Sequence, residues 1–204
     1  IIRRLVHRFD AFLRKLYHIE EFTSDPECIL RIALKTNKER LLLDEVGVIE
    51  QGEPIGELHF WNEHLPPLSP DGASLEWGKL FVRKLRYSLT LLAEYVEQDP
   101  RFWEVRAFRG EMAFPGERRE QLEEVARKLG FITYVKERRR FLDRFTEFWE
   151  NFYSWALIWA FNPPSLKNKT LLGLRRCRMW MTRERLLEKY GGNDEAQSRA
   201  LRPR

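Results

Sequence analysis

Hydrophobic spacing divides the chain into helical and extended stretches. Ile2, Leu5, Val6, Phe9, Phe12, Leu13, Leu16 and Tyr17 recur every three or four residues with arginines opposite, which predicts an amphipathic helix over residues 1–20. Beyond the turn Thr23-Ser24-Asp25-Pro26, Leu30, Ile32 and Leu34 alternate with Arg31, Ala33 and Lys35, the period of a half-buried strand. Short strands follow at Leu41–Leu43, Val46–Glu50 and Ile55–Phe60, divided by turns at Asp44 to Gly47 and Gln51 to Pro54. Three prolines and a glycine between Pro66 and Gly72 require a loop. The longest helical stripe, with Leu80, Phe81, Leu85, Leu89, Leu92, Ala93 and Val96 on one side, runs from Leu75 to Glu97 and stops at Asp99-Pro100.

The carboxy-terminal half alternates. A strand is expected at Trp103–Arg109, irregular chain from Gly110 to Gly116, and a helix over 117–129 closed by Gly130. A strand at Phe131–Val135 precedes a long helix over 138–161, which Asn162-Pro163-Pro164 ends. A last strand at Cys177–Met181 leads to a helix capped by Thr182 and ended by Gly191-Gly192. This order predicts an α+β fold, a mostly antiparallel central sheet with packed helices. Residues 1–191 are expected to form one domain and 192–204 a disordered tail.

The 204 residues are 43% hydrophobic, enough for a core, and 33% charged. The net charge of +5 is uneven: Glu39 to Glu63 holds seven acids and one base, Lys167 to Arg185 seven bases and one acid. Cys28 and Cys177 stand alone, as thiols of a reducing compartment do, and no metal site is assigned. With no apolar run of about 20 residues and no signal-peptide pattern, a cytoplasmic placement is expected, extending to the inner face of a membrane. A start at Ile1 reads as an excised domain with its targeting segment removed.

Potentially reactive groups concentrate in Gly56 to Pro67, which holds two of the four histidines. Strand periodicity places Glu57, His59 and Trp61 on one face, with Leu58 and Phe60 toward the core. A carboxylate beside an imidazole orients the ring and raises its basicity, the arrangement of a general base near neutral pH. Asn62 is a hydrogen-bond donor for an oxyanion, and Glu63 or His64 a second acid–base group. Three readings of the segment stand side by side: a pocket with Glu57, His59, Asn62 and Glu63 as catalytic groups and Trp61 and His64 as ligand contacts, a structural histidine with an Asn turn, and a metal site. If the strand at 103–109 lies beside 55–60, Arg106 or Arg109 faces the same cavity and binds an anionic group. Arginines on an exposed strand are the alternative.

The helix over 138–161 carries a broad aromatic stripe with bases at both ends. Arg138, Arg139 and Arg140 with Trp155 and Trp159 make it a candidate for contact with anionic lipid or glycolipid, against the alternatives of a core helix or a protein partner. Nucleic acid is disfavoured, since no binding module is visible. No cofactor is identified, and no phosphate-binding glycine loop or nucleophile motif stands out.

Two resemblances accompany these readings. The order of elements, and the helix-to-strand phrase Leu122-Glu-Glu-Val-Ala-Arg-Lys-Leu-Gly-Phe131, resemble the acyl-CoA N-acyltransferase fold, although Asn62 to Ser74 lacks that fold's cofactor-binding pattern of Arg or Gln, two variable residues, Gly, any residue, and Gly or Ala. That resemblance implies an acyltransferase-like enzyme with an acyl-CoA or acyl-carrier donor. The phrases Gly56-Glu57-Leu58-His59-Phe60-Trp61-Asn62-Glu63 and Arg178-Met179-Trp180-Met181-Thr182-Arg183-Glu184-Arg185-Leu186-Leu187-Glu188-Lys189-Tyr190-Gly191 resemble the YkoP-like domains. Members of that bacterial family stand alone or are joined to polysaccharide deacetylases. This implies a role in envelope polysaccharide or glycolipid metabolism beside a glycan-active partner or fused domain, and transfers no catalytic residue. A non-catalytic membrane-surface or protein interaction module is the third reading.

Overall fold

The computed structural model describes residues 15–43, 47–67, 74–115, 119–135 and 174–192. Strands β1 (Leu30–Thr36), β4 (Pro54–Phe60), β5 (Ala107–Pro115), β6 (Ile132–Val135) and β7 (Leu174–Thr182) form one sheet in the order β1-β4-β5-β7-β6. The hairpin β2 (Leu41–Leu43) and β3 (Gly47–Ile49) forms a separate two-stranded ribbon. Helices α1 (Leu75–Gln98), α2 (Arg119–Lys128) and α3 (Arg183–Tyr190) complete an α+β architecture. The sheet is mixed: β1/β4, β5/β7 and β6/β7 run antiparallel, and β4/β5 runs parallel.

That one parallel pair follows from connection length. Antiparallel strands join through tight turns, but β4 and β5 are linked by α1, the crossover a parallel pair requires. Ser74 caps α1 by accepting from the Trp77 amide, and Pro100, which has no N–H, stops it after Asp99. The helix buries Leu85, Leu89, Leu92, Ala93 and Val96 in a core shared with Ile32, Leu58, Phe108, Met181 and Leu186. Ser88 also lies on the buried face, where its hydroxyl accepts from the Ile29 amide (2.8 Å) and donates to the Lys84 carbonyl (2.8 Å). A small second cluster of Ile49, Ile55, Ala107 and Trp180, with Leu41 against it, packs the β2–β3 ribbon onto the sheet. The base of that ribbon is pinned by buried Asn37, whose side-chain amide donates to the Glu39 (2.6 Å) and Glu50 (3.0 Å) carbonyls.

Several expectations change. The helix expected to reach residue 20 is over by Leu16, and His18 turns the chain with φ 51°. Glu20 then exchanges two backbone hydrogen bonds with Ile32, covering part of the β1 edge. In β1 the expected alternation fails, because residues 30 to 33 are all buried and Leu34 is exposed. The strand placed at Trp103–Arg109 begins instead at Ala107 and continues to Pro115, through residues expected to be irregular. The reason is the ladder: β7 pairs residue by residue from Thr182 opposite Ala107 to Leu174 opposite Pro115, which tolerates Gly110 inside and Pro115 at the end. Trp103 belongs to a turn that Asp99 begins with a 3-10 helix at Pro100–Phe102. For the same reason β7 begins three residues before Cys177. The amino-terminal helix up to residue 14, most of the proline loop, the aromatic helix at 138–161 and the tail from 193 lie outside the described residues.

Candidate functional site

β4 and β5 pair over three positions only, with Gly56 opposite Phe108, Glu57 opposite Arg109 and Leu58 opposite Gly110. Side-chain alternation sends Leu58 and Phe108 into the core under α1 and puts Glu57, His59 and Arg109 on the other face. Arg109 in turn is opposite Trp180 of β7, and its guanidinium lies 5.8 Å from the Trp180 ring centre. Glu57, Arg109 and Trp180 therefore form one row across three strands.

Glu57 is the centre of that row. Arg109 Nη2 donates a hydrogen bond to Glu57 Oε1, and His59 Nε2 stands 3.4 Å from Glu57 Oε2. The imidazole contact has ion-pair distance without hydrogen-bond geometry, and Nε2 makes no hydrogen bond. All three side chains are partly covered, with 23% of Glu57, 33% of His59 and 19% of Arg109 exposed. Burial alone raises the Glu57 carboxyl, but His59 and Arg109 more than reverse this and hold it at about 2. Glu57 is thus a permanent carboxylate at neutral pH. It is too weak a base to take a proton and well suited to orienting His59.

A second knot lies where β4 ends. Trp61 closes the strand, and Asn62–His64 form one turn of 3-10 helix. Trp61 is buried and stacks on His64, with ring centres 3.8 Å apart and planes at 16°. The Arg31 guanidinium sits 4.6 Å above the Trp61 ring and reaches Glu21 (2.9 Å) and Glu63 (3.4 Å). His64 Nδ1 is 2.8 Å from the Cys28 carbonyl, an acceptor, so Nδ1 carries the hydrogen. Glu63 is thereby tied to Arg31 and His64 to the start of β1, while half-buried Asn62 begins the turn.

Of the residues singled out in the sequence, the fold brings His59 and Arg109 each against Glu57. Arg106 is directed elsewhere: its Nη1 donates to the Val48 carbonyl (3.1 Å) and lies 3.4 Å from Glu53. Arg138, Arg139, Arg140, Trp155 and Trp159 lie outside the described residues. Sequence reasoning assigned no site role to Arg31, Trp180 or Arg178, the last of which pairs with Glu39 and, at 3.7 Å, with Glu111. The alternation of β1 made Arg31 an outward residue; only the distant Glu63 and Trp61 reveal why it is buried. Trp180 was visible as part of the second phrase, without a role.

Among the described residues no group of three or more His, Cys, Asp and Glu is placed to hold a metal ion. Nor is any of their helices long and apolar enough to cross a membrane. Both cysteines are buried, and neither is in a disulfide. A family model described as YkoP domain matches residues 1–190. No curated protein and no solved structure matches the chain.

Proposed function

We propose that this chain, which belongs to the YkoP domain family, is an acyltransferase-like enzyme whose base is His59. Glu57 and Arg109 hold that base in place. The observation that carries the reading is the short parallel pairing of β4 and β5, with Glu57 and Arg109 opposed within it and His59 one residue past it. Ligands of sheets with helical crossovers bind at the carboxyl ends of parallel strands. Here that end holds a histidine turned to a fixed carboxylate. The strand order β1-β4-β5-β7-β6, with α1 crossing between the parallel pair, supports the acyltransferase-like architecture.

In this reading Nε2 of His59 faces Glu57, so Nδ1 takes the proton from an acceptor amine or hydroxyl. The acceptor forms a bond to the thioester carbonyl carbon, the carbon–sulfur bond breaks, and the departing thiolate takes the proton held on His59 and leaves as the thiol. Asn62 is the donor assigned to the oxyanion. The acceptor assigned is an amino or hydroxyl group of an envelope glycan or glycolipid, which rests on the family resemblance.

The residues at the start of α1 do not fit a nucleotide diphosphate. The segment from Trp61 to Ser74 has one glycine, Gly72. The Ser74 hydroxyl already takes the Trp77 amide, and Glu76 puts a carboxylate in the first turn. The donor proposed is therefore an acyl carrier or another thioester without that group.

Incubation with acyl-pantetheine and acyl-CoA thioesters of graded chain length, with glucosamine and simple alcohols as acceptors, tests this. Thiol release and acylated product are read together. His59→Ala is expected to lower transfer by about 10²–10⁴-fold, with the pantetheine donors outperforming the CoA donors. Transfer that survives His59→Ala, or none across the panel, overturns the reading.

A further inference from the structure

We propose that Gly56 and Phe108 are positioning residues for the Glu57, His59 and Arg109 group. The Phe108 ring, seated from the core side in the notch that Gly56 leaves in β4, fixes how the two strands meet. This rests on the reading of that group as the working site.

Three paired residues are a short ladder for holding a parallel register, and a slip of one residue moves every side chain to the other face. Something on the core side must therefore select the register. A Cβ on Gly56 would lie 2.6 Å from Phe108 Cε1, closer still to Cδ1, and 3.4 Å from Ile32 Cδ1. Phe108 is fully buried in the main core, so its ring cannot swing aside. Glycine inside a strand ordinarily weakens it and marks close approach by another group; here that group is an aromatic ring on the neighbouring strand. The other glycine of the ladder behaves differently. A Cβ on Gly110 would meet only Met179 Cε, at 3.9 Å, an ordinary contact.

The two glycines bracket the Glu57–Arg109 pair, one filled by a ring and one open to a methyl group. A slip by one residue would set Glu57 opposite Phe108 or Gly110 and separate it from Arg109. Ring and notch on the core face thereby determine which charges meet on the other.

The test is the titration of the Glu57 carboxyl carbon by NMR, assigned by its loss in Glu57→Gln. In the parent protein this carboxyl is expected to remain ionised at pH 3. Gly56→Ala is expected to bring it up toward the ordinary carboxylate range, and Gly110→Ala to leave it unchanged. The double variant Gly56→Ala with Phe108→Leu, in which the smaller side chain makes room for the methyl, is expected to restore the parent titration. Should Gly56→Ala not fold, Phe108→Leu alone, which empties the notch, carries the same expected rise. A folded Gly56→Ala or Phe108→Leu with parent titration, an equal effect from Gly110→Ala, or a double variant without recovery overturns the proposal. Because the readout needs no turnover, the expected pattern without acyl transfer would refute the enzymatic reading alone.

Discussion

At Glu57, burial raises the carboxyl while His59 and Arg109 lower it, and the two neighbours prevail. The folded carboxyl is lowered from an ordinary 4.5 to about 2. A depressed carboxylate stabilises the fold fully above the unfolded value and loses that contribution as pH falls through the folded one. Denaturant titrations between pH 5 and 2 should therefore show stability falling by about 2–3 kcal/mol more in the parent than in Glu57→Gln. Equal slopes in the two proteins would contradict the pairing. At pH 7 Glu57→Gln should itself cost about 1–3 kcal/mol, because Arg109 is left partly buried without its carboxylate. Arg31 is a stricter case. It is buried at 3% exposure with two carboxylates beside it, so Arg31→Ala should destabilise by about 2–4 kcal/mol, while Lys35→Ala on the same strand stays near neutral. The contact of Glu57 with His59 was legible in the sequence, since a period of two puts them on one face. Arg31 was not, because its burial depends on Glu21, Glu63 and Trp61, which local periodicity does not connect.

Elements bounded by local chemistry were read well. The ends of α1 follow from Ser74 and Asp99-Pro100, and α3 begins where Thr182 accepts from the Arg185 amide (2.9 Å). Thr182→Ala should cost about 1 kcal/mol in thermal or chemical unfolding, and Thr182→Ser much less. Gly130, with φ 91°, ends the turn after α2, and its replacement by alanine is strained at about 1–2 kcal/mol. Boundaries set by a distant strand were misread. β5 carries Gly110 and Pro115, local signals of irregular chain, yet nine consecutive pairings with β7 hold it extended. Leu34 appeared as a core position from alternation, but its strand is at the sheet edge and the residue is exposed. Propensity describes a segment; strand pairing is decided by its partner.

At the scale of the molecule, α1 covers one face of the sheet, and the other carries the Glu57–Arg109 pair beside the Trp180 cluster. Cys28 lies in the core, where burial raises its thiol, and Cys177 is buried as well. Both should resist a thiol reagent under native conditions and react together on unfolding; fast labelling of either would contradict their placement. The sequence also predicts contact with anionic lipid through the helix over 138–161, which lies outside the described residues. Sedimentation with anionic liposomes at low salt should be lost on charge reversal of Arg138, Arg139 and Arg140, and no sedimentation of the parent would remove it.

The unequal ladders divide the sheet in a way that bears on its motions. Seven pairs join β1 to β4 and nine join β5 to β7, but three join β4 to β5. The two larger pieces meet along a seam that is completed only once the 24 residues of α1 have crossed over. Such a seam is expected to close late in folding and to part early in native-state hydrogen exchange, ahead of the ladders on either side. The three pairs that position Glu57 would then be the line along which solvent first reaches the backbone of the sheet.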